Sequence, residues 1–193
     1  MRRKRRLLTI GTATLAAALA LVGCANSGSN QSKSTSATSA QSGVPAHNQA
    51  DVTFAQGLLP HHQLGVQNCD IILGKQGIDP RVIDLAKQMK DQQTSQIQQL
   101  QDWQKQWGGP ATPSQTGTST ATPAEIADLQ NTQGVDDSKM FLAEMISHHQ
   151  AAIAMAQTEI QSGQFPAATA MAHDIVNNQQ QQIESMQQIL SSL

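Results

Sequence analysis

The chain has no Tyr, 2 Trp and 3 Phe among 193 residues. Strands draw on aromatic and β-branched side chains in alternation, and no segment here alternates convincingly, so a β-rich fold is excluded. Catalytic signatures are missing too. There is no H-E-x-x-H, no G-x-S-x-G and no phosphate-binding loop. A di-iron bundle needs Glu and Glu-x-x-His on facing helices, but Glu144 stands four before His148 and its counterpart in the first half is Gly57. The chain therefore reads as a non-enzyme.

Cysteine is scarce, and the 2 present, Cys24 and Cys69, have different contexts. "MRRKRR" is a positive n-region, "LLTIGTATLAAALALVG" is an apolar run, and "LVGC" ends it at Cys24. This is the pattern of a bacterial lipoprotein signal, which places cleavage after residue 23 and the lipid on Cys24. The alternative, an uncleaved membrane helix, suffers from the short apolar run. With Cys24 lipidated, Cys69 has no partner within the chain. It reads as a free thiol or as a small buried hydrophobe.

Removing residues 1–23 takes 5 of the 12 Lys+Arg and none of the 14 Asp+Glu, so the mature charge is 7 − 14 = −7. An acidic exported chain is a poor nucleic-acid binder, and its surface attracts cations. Residues 24–47 are rich in Ser, Gly, Thr and Gln without a hydrophobic period, which reads as a disordered tether spanning about 27 Å. A similar stretch at 108–123 divides the remainder.

The rest, 48–193, reads as helix. Asn48 or Asp51 starts a first helix that runs to about Lys75. Asp79 and Pro80 open a second that runs to about Trp107. Thr122-Pro123-Ala124-Glu125 has capping-box spacing and opens a short one. Asp136 or Asp137 starts a long helix ended by Gly163, and Pro166 lies near the start of the last. The two long stretches, 50–107 and 134–193, repeat one another. Phe54, His61 and His62 each stand 87 residues before Phe141, His148 and His149, and Leu85, Gln93 and Ile97 stand 86 before Met171, Gln179 and Ile183. Two such helical hairpins pack most simply as an all-α antiparallel four-helix bundle.

Four of the 6 His sit in two copies of His-His-Gln. On a helical wheel Met145, His148 and Met155 lie within about 80° of one another, with His149 about 40° to the other side. Thioether and imidazole together suit Cu(I) better than harder ions. The first hairpin keeps His61 and His62 but has Leu58 and Asn68 where the second has Met145 and Met155. Gln93 and Gln179 interrupt the apolar seams at matching places and are expected to face the His pairs as a polar second layer, or else to turn to solvent. Against the metal reading stand two plainer ones: Met at helical spacing is commonly core filler, and the imidazoles could be a hydrogen-bonded structural layer.

"FAQGLLPHHQLGV" with "LAKQMKDQQTSQI", and "FLAEMISHHQAAIAMA" with "MAHDIVNNQQQQIESM", resemble the family called domain of unknown function 305, whose signature is Met-x-x-His-His-x-x-Ala-x-x-Met-Ala. The resemblance covers both hairpins. It implies a ferritin-like bundle, commonly exported, with copper binding in some members. It supports Met145, His148, His149 and Met155 as the metal site and His61 and His62 as its degenerate counterpart. Leu58 and Asn68 depart from the family's Met, and Gln96 and Gln182 stand where Glu is frequent. The expectation is an exported protein, lipid-anchored to the outer face of the cytoplasmic membrane or another envelope membrane. It would bind copper as a buffer or chaperone and pass it to a delivery partner. A structural or adaptor bundle is the rival, and a Cys69-dependent redox protein is a third reading.

Overall fold

In a computed structural model, the structure describes residues 46–108 and 133–193. Four helices form these residues: α1 (Gln49–Leu73), α2 (Pro80–Gln106), α3 (Val135–Ser162) and α4 (Pro166–Ser191), with no strand among the described residues. The expected all-α four-helix bundle is the fold. The signal segment, Cys24, most of the tether and the short helix opened by Thr122 lie outside the described residues. No helix among those described is long and apolar enough to cross a membrane.

Local chemistry sets the helix ends. Asn48 caps α1: its Oδ1 accepts from the amides of Ala50 at 2.7 Å and Asp51 at 3.1 Å, and the Asn48 amide donates to Asp51 Oδ2 at 2.6 Å. Asp79 accepts from the Arg81 amide at 2.9 Å ahead of Pro80, whose missing N–H costs nothing in the first turn. α3 begins slightly earlier than expected. Gly134, at φ 70°, takes the cap position without a side-chain bond. Asp136 and Asp137 thus fall in the first turn, where they complement the helix dipole.

The hairpins α1–α2 and α3–α4 pack closely, α1 lies against α3, and α2 touches α4 only lightly. Polar ties at the ends give the antiparallel sense. Asn48, before α1, donates to the carbonyl of Ser162 at the end of α3, at 2.7 Å. Arg81, at the start of α2, donates to Ser192 Oγ beyond α4, at 2.8 Å. Two further ties correspond across the hairpins. Asp51 on α1 accepts from the amides of Gln164 and Phe165 in the α3–α4 turn, while Ser138 on α3 accepts from the Asp79 amide in the α1–α2 turn. Lys75 adds an ion pair to buried Asp137 at 2.8 Å.

The core is two apolar clusters rather than one. Phe54, Leu58, Leu100, Trp103, Phe165 and Ile175 build the first. Cys69, Ile72, Met89, Phe141, Met145 and Met186 are in the second. Between them lies a polar layer of buried His and Gln, the consequence of the same interruption falling on all four helices.

Candidate metal centre

The structure brings the four paired histidines together. The ring centroids of His61 and His148 are 3.7 Å apart with the planes at 35°, and each ring lies 6.1 Å from its neighbour in sequence. None of the four is more than 2% exposed. His148 Nε2 donates to the carbonyl of His61 at 2.8 Å, His62 Nε2 to Gln96 Oε1 at 2.9 Å, and His149 Nε2 to Gln182 Oε1 at 2.7 Å. All three partners are carbonyl oxygens, which only accept, so each of these rings carries a proton on Nε2.

Protonation of the rings follows from burial. Desolvation disfavours the imidazolium, and the neighbouring imidazoles add to it. His61 is pushed down to about 2 by burial and then by His148, His62 and His149. His62 falls to about 3 through burial and His148, against the Gln96 hydrogen bond. His148 and His149 fall to about 4, also through burial, partly offset by their hydrogen bonds to His61 and Gln182. The layer is neutral near pH 7. A neutral ring with its proton on Nε2 presents a bare lone pair at Nδ1, and Nδ1 of His62, His148 and His149 has no hydrogen-bond partner. His61 has no partner at either nitrogen.

These orphaned lone pairs fit a soft or borderline cation. They do not yet converge: among the described residues no group of three or more His, Cys, Asp or Glu side chains is arranged to hold a metal ion. The methionines flank the layer on opposite sides. Met145 is fully buried in the second cluster, whereas Met155 is half-buried against the first, its sulfur over the backbone of Gly57. Ten residues of helix separate them by about 15 Å along the axis, too far for both sulfurs to reach one ion. The shared face of the wheel is real, but the wheel omits the axial rise.

Gln93 and Gln179 are buried, 2% and 4% exposed. Gln93 lies over Gly65, where an added Cβ would collide with its Oε1 and stand 2.8 Å from His148 Cε1. The ring-holding bonds come from Gln96 and Gln182, one turn further along. The signal for them was present in the separations, 34 and 33 residues from the respective His. Gln182 does more: its Nε2 donates to Gln92 Oε1 on α2 at 2.6 Å. Cys69 is buried away from solvent, with its thiol pushed up to about 12 by burial and then by Asp70. Sequence reasoning also passed over a second buried polar pair, Asp51 and Glu159, at the end of the bundle.

The apolar core of this bundle is thus cut by a layer of neutral, partly orphaned imidazoles. The family model described as Domain of unknown function (DUF305) matches residues 51–190, and the chain belongs to that family. Among solved structures, it is similar to a DUF305 protein from Streptomyces coelicolor described as secreted, with 25% identity and a TM-score of 0.69, covering 74% of this chain and 91% of that one. A DUF305 fragment from Deinococcus radiodurans is 27% identical with a TM-score of 0.69, covering 77% and 100%. CopM in its Cu(I)-bound form is 25% identical with a TM-score of 0.65, covering 74% and 96%. CopM has also been solved with Cu(II) and with Ag bound. No curated protein gives a significant match.

Proposed function

We propose that this protein is an exported, lipid-anchored metal-binding protein that holds Cu(I) at its imidazole layer and acts as a buffer or chaperone for it. It works by binding rather than by catalysis and hands the ion to a delivery partner. Lipidated Cys24 would hold it at the outer face of the cytoplasmic membrane or another envelope membrane, with residues 24–47 as tether. The observation that carries the reading is the set of buried, neutral rings with unpartnered Nδ1 atoms. The relatives lend support: CopM binds copper and silver, and the Streptomyces coelicolor protein is described as secreted. The matching bonds of His62 to Gln96 and His149 to Gln182 favour the internal-repeat reading.

His61, His62, His148 and His149 would supply the nitrogens. Met145 and Met155 would add sulfur from opposite sides of the layer, each to a different ion. A packing layer is the second reading, and its support is specific: three Nε2 protons already have protein acceptors.

Titrating the full-length protein with Cu(I) under anaerobic conditions against a chromophoric chelator separates the two. The metal reading expects tight binding by the parent and its loss in a His148→Ala/Met155→Leu double variant that remains helical. A well-folded parent that takes up no Cu(I) leaves the layer as architecture.

A further inference from the structure

The imidazole layer is sealed, so anything that reaches it must cross a seam of the bundle. Three seams are closed by close packing: α1–α2, α3–α4 and α1–α3. The fourth, between α2 and α4, holds a cleft of about 250 Å³. Two facing rows of amides wall it, Gln92, Gln93 and Gln96 from α2 and Asn178, Gln179 and Gln182 from α4.

Two observations connect this cleft to the rings behind it. Gln96 and Gln182 line the cleft and also hold His62 and His149 by their carbonyls. Gln93 and Gln179 are more than nine-tenths buried and line the same space, yet Gln93 has no partner at Nε2 or Oε1 and Gln179 none at Oε1. A buried amide without a partner is unfavourable, and a solute carrying polar ligands or a cation would satisfy it. Carbonyl oxygens set along a channel replace part of a cation's hydration shell as it moves.

One side chain joins the two functions. Gln182 accepts the His149 proton on its oxygen and donates from its nitrogen to Gln92 across the seam, at 2.6 Å. Releasing the ring and parting the helices therefore act through a single amide. We propose that the amide-lined cleft between α2 and α4 is the passage by which a soft cation reaches the imidazole layer, with the Gln92–Gln182 hydrogen bond as its latch. The inference rests on the metal-binding reading above.

The passage is tested first without metal. Diethyl pyrocarbonate acylates neutral imidazole, and mass spectrometry reads its rate at His62 and His149 in the full-length protein, with exposed His47 and His173 as internal standards. Gln92→Ala removes the latch and should raise labelling of the buried pair about five-fold, the effect of one net hydrogen bond. Asn178→Trp, at an exposed position on the cleft wall, should lower it at least several-fold. Neither should change His47, His173 or the helical circular dichroism. Transfer of Cu(I) to a chelator should quicken and slow in the same two variants, with the equilibrium affinity unmoved. Labelling of His62 and His149 that ignores both substitutions overturns the passage, whatever the copper result. A parent that binds no Cu(I) overturns the cation as its traveller, even where labelling follows the cleft.

Discussion

Asp51 and Glu159 bury two carboxyl groups side by side where the start of α1 meets the end of α3. Both are at most 1% exposed. Burial alone would raise Asp51, but the amides of Asn48 and Phe165, then Glu159 and Gln164, outweigh it and hold its pKa below the usual value. Glu159 has no such amides. Burial, then the neighbouring Asp51 carboxylate, push it up to about 8, so it keeps a proton at neutral pH.

Stability should therefore pass through a maximum at about pH 7. Glu159 is raised above its ordinary 4.5, so its contribution is complete below that value and is lost as pH rises through about 8. The four layer histidines are depressed below 6.5, so their contribution is complete above 6.5 and is lost as pH falls toward about 4 and below. Well below 6.5 unfolding takes up 4 − 1 = 3 protons, and above about pH 7 it releases up to one. Thermal melting followed from pH 4 to pH 9 should rise and then fall, and Glu159→Gln should flatten the alkaline side alone. A parent that gains stability between pH 7 and pH 9 would contradict the protonated Glu159.

Asp51→Ala should cost about 2–4 kcal/mol, because three backbone amides lose their acceptor at once. The corresponding tie on the other hairpin is a single bond of 3.3 Å from the Asp79 amide to Ser138. Ser138→Ala should cost about 1 kcal/mol or less in the same urea titration. Equal losses would mean that the two ties are interchangeable despite their different bond counts.

Gly65→Ala drives a methyl group into Gln93 and the His148 ring. We expect about 1–3 kcal/mol of destabilisation, as for other overpacked cores. Gln93→Ala in the same chain should relieve most of it. Denaturant unfolding of the two single variants and the double closes the cycle, and simple additivity would show that Gln93 does not fill the space above Gly65.

Cys69 should be inert in the folded chain. Its buried thiol is raised to about 12, leaving very little thiolate at pH 8. Reaction with a chromogenic disulfide should wait for unfolding and proceed at the unfolded-chain rate in urea. Faster reaction in the folded protein than in urea would revive the redox reading.

The helices and the bundle were legible because caps, prolines and spacing all agree. Asn48, Asp79 with Pro80 and Gly163 mark boundaries that the structure keeps to within two residues. The meeting of His61 with His148 was legible only as repetition, since a wheel has no second helix on it. Met145 and Met155 show the limit most clearly: one angle, two ends of the layer. Glu159 gave no sign at all. A lone Glu near a helix end ordinarily points to water, and its burial depends on Gly163 having no Cβ to occupy the place its carboxyl takes.

A polar stratum between two hydrocarbon ones also acts as a ruler for assembly. Sliding one hairpin along the other by a turn would press imidazoles and amides into the Phe141 or Phe54 side of the core, where no carbonyl waits for their protons. Of all the ways two such similar hairpins could be laid together, the layer leaves one alignment in which every ring meets its own kind.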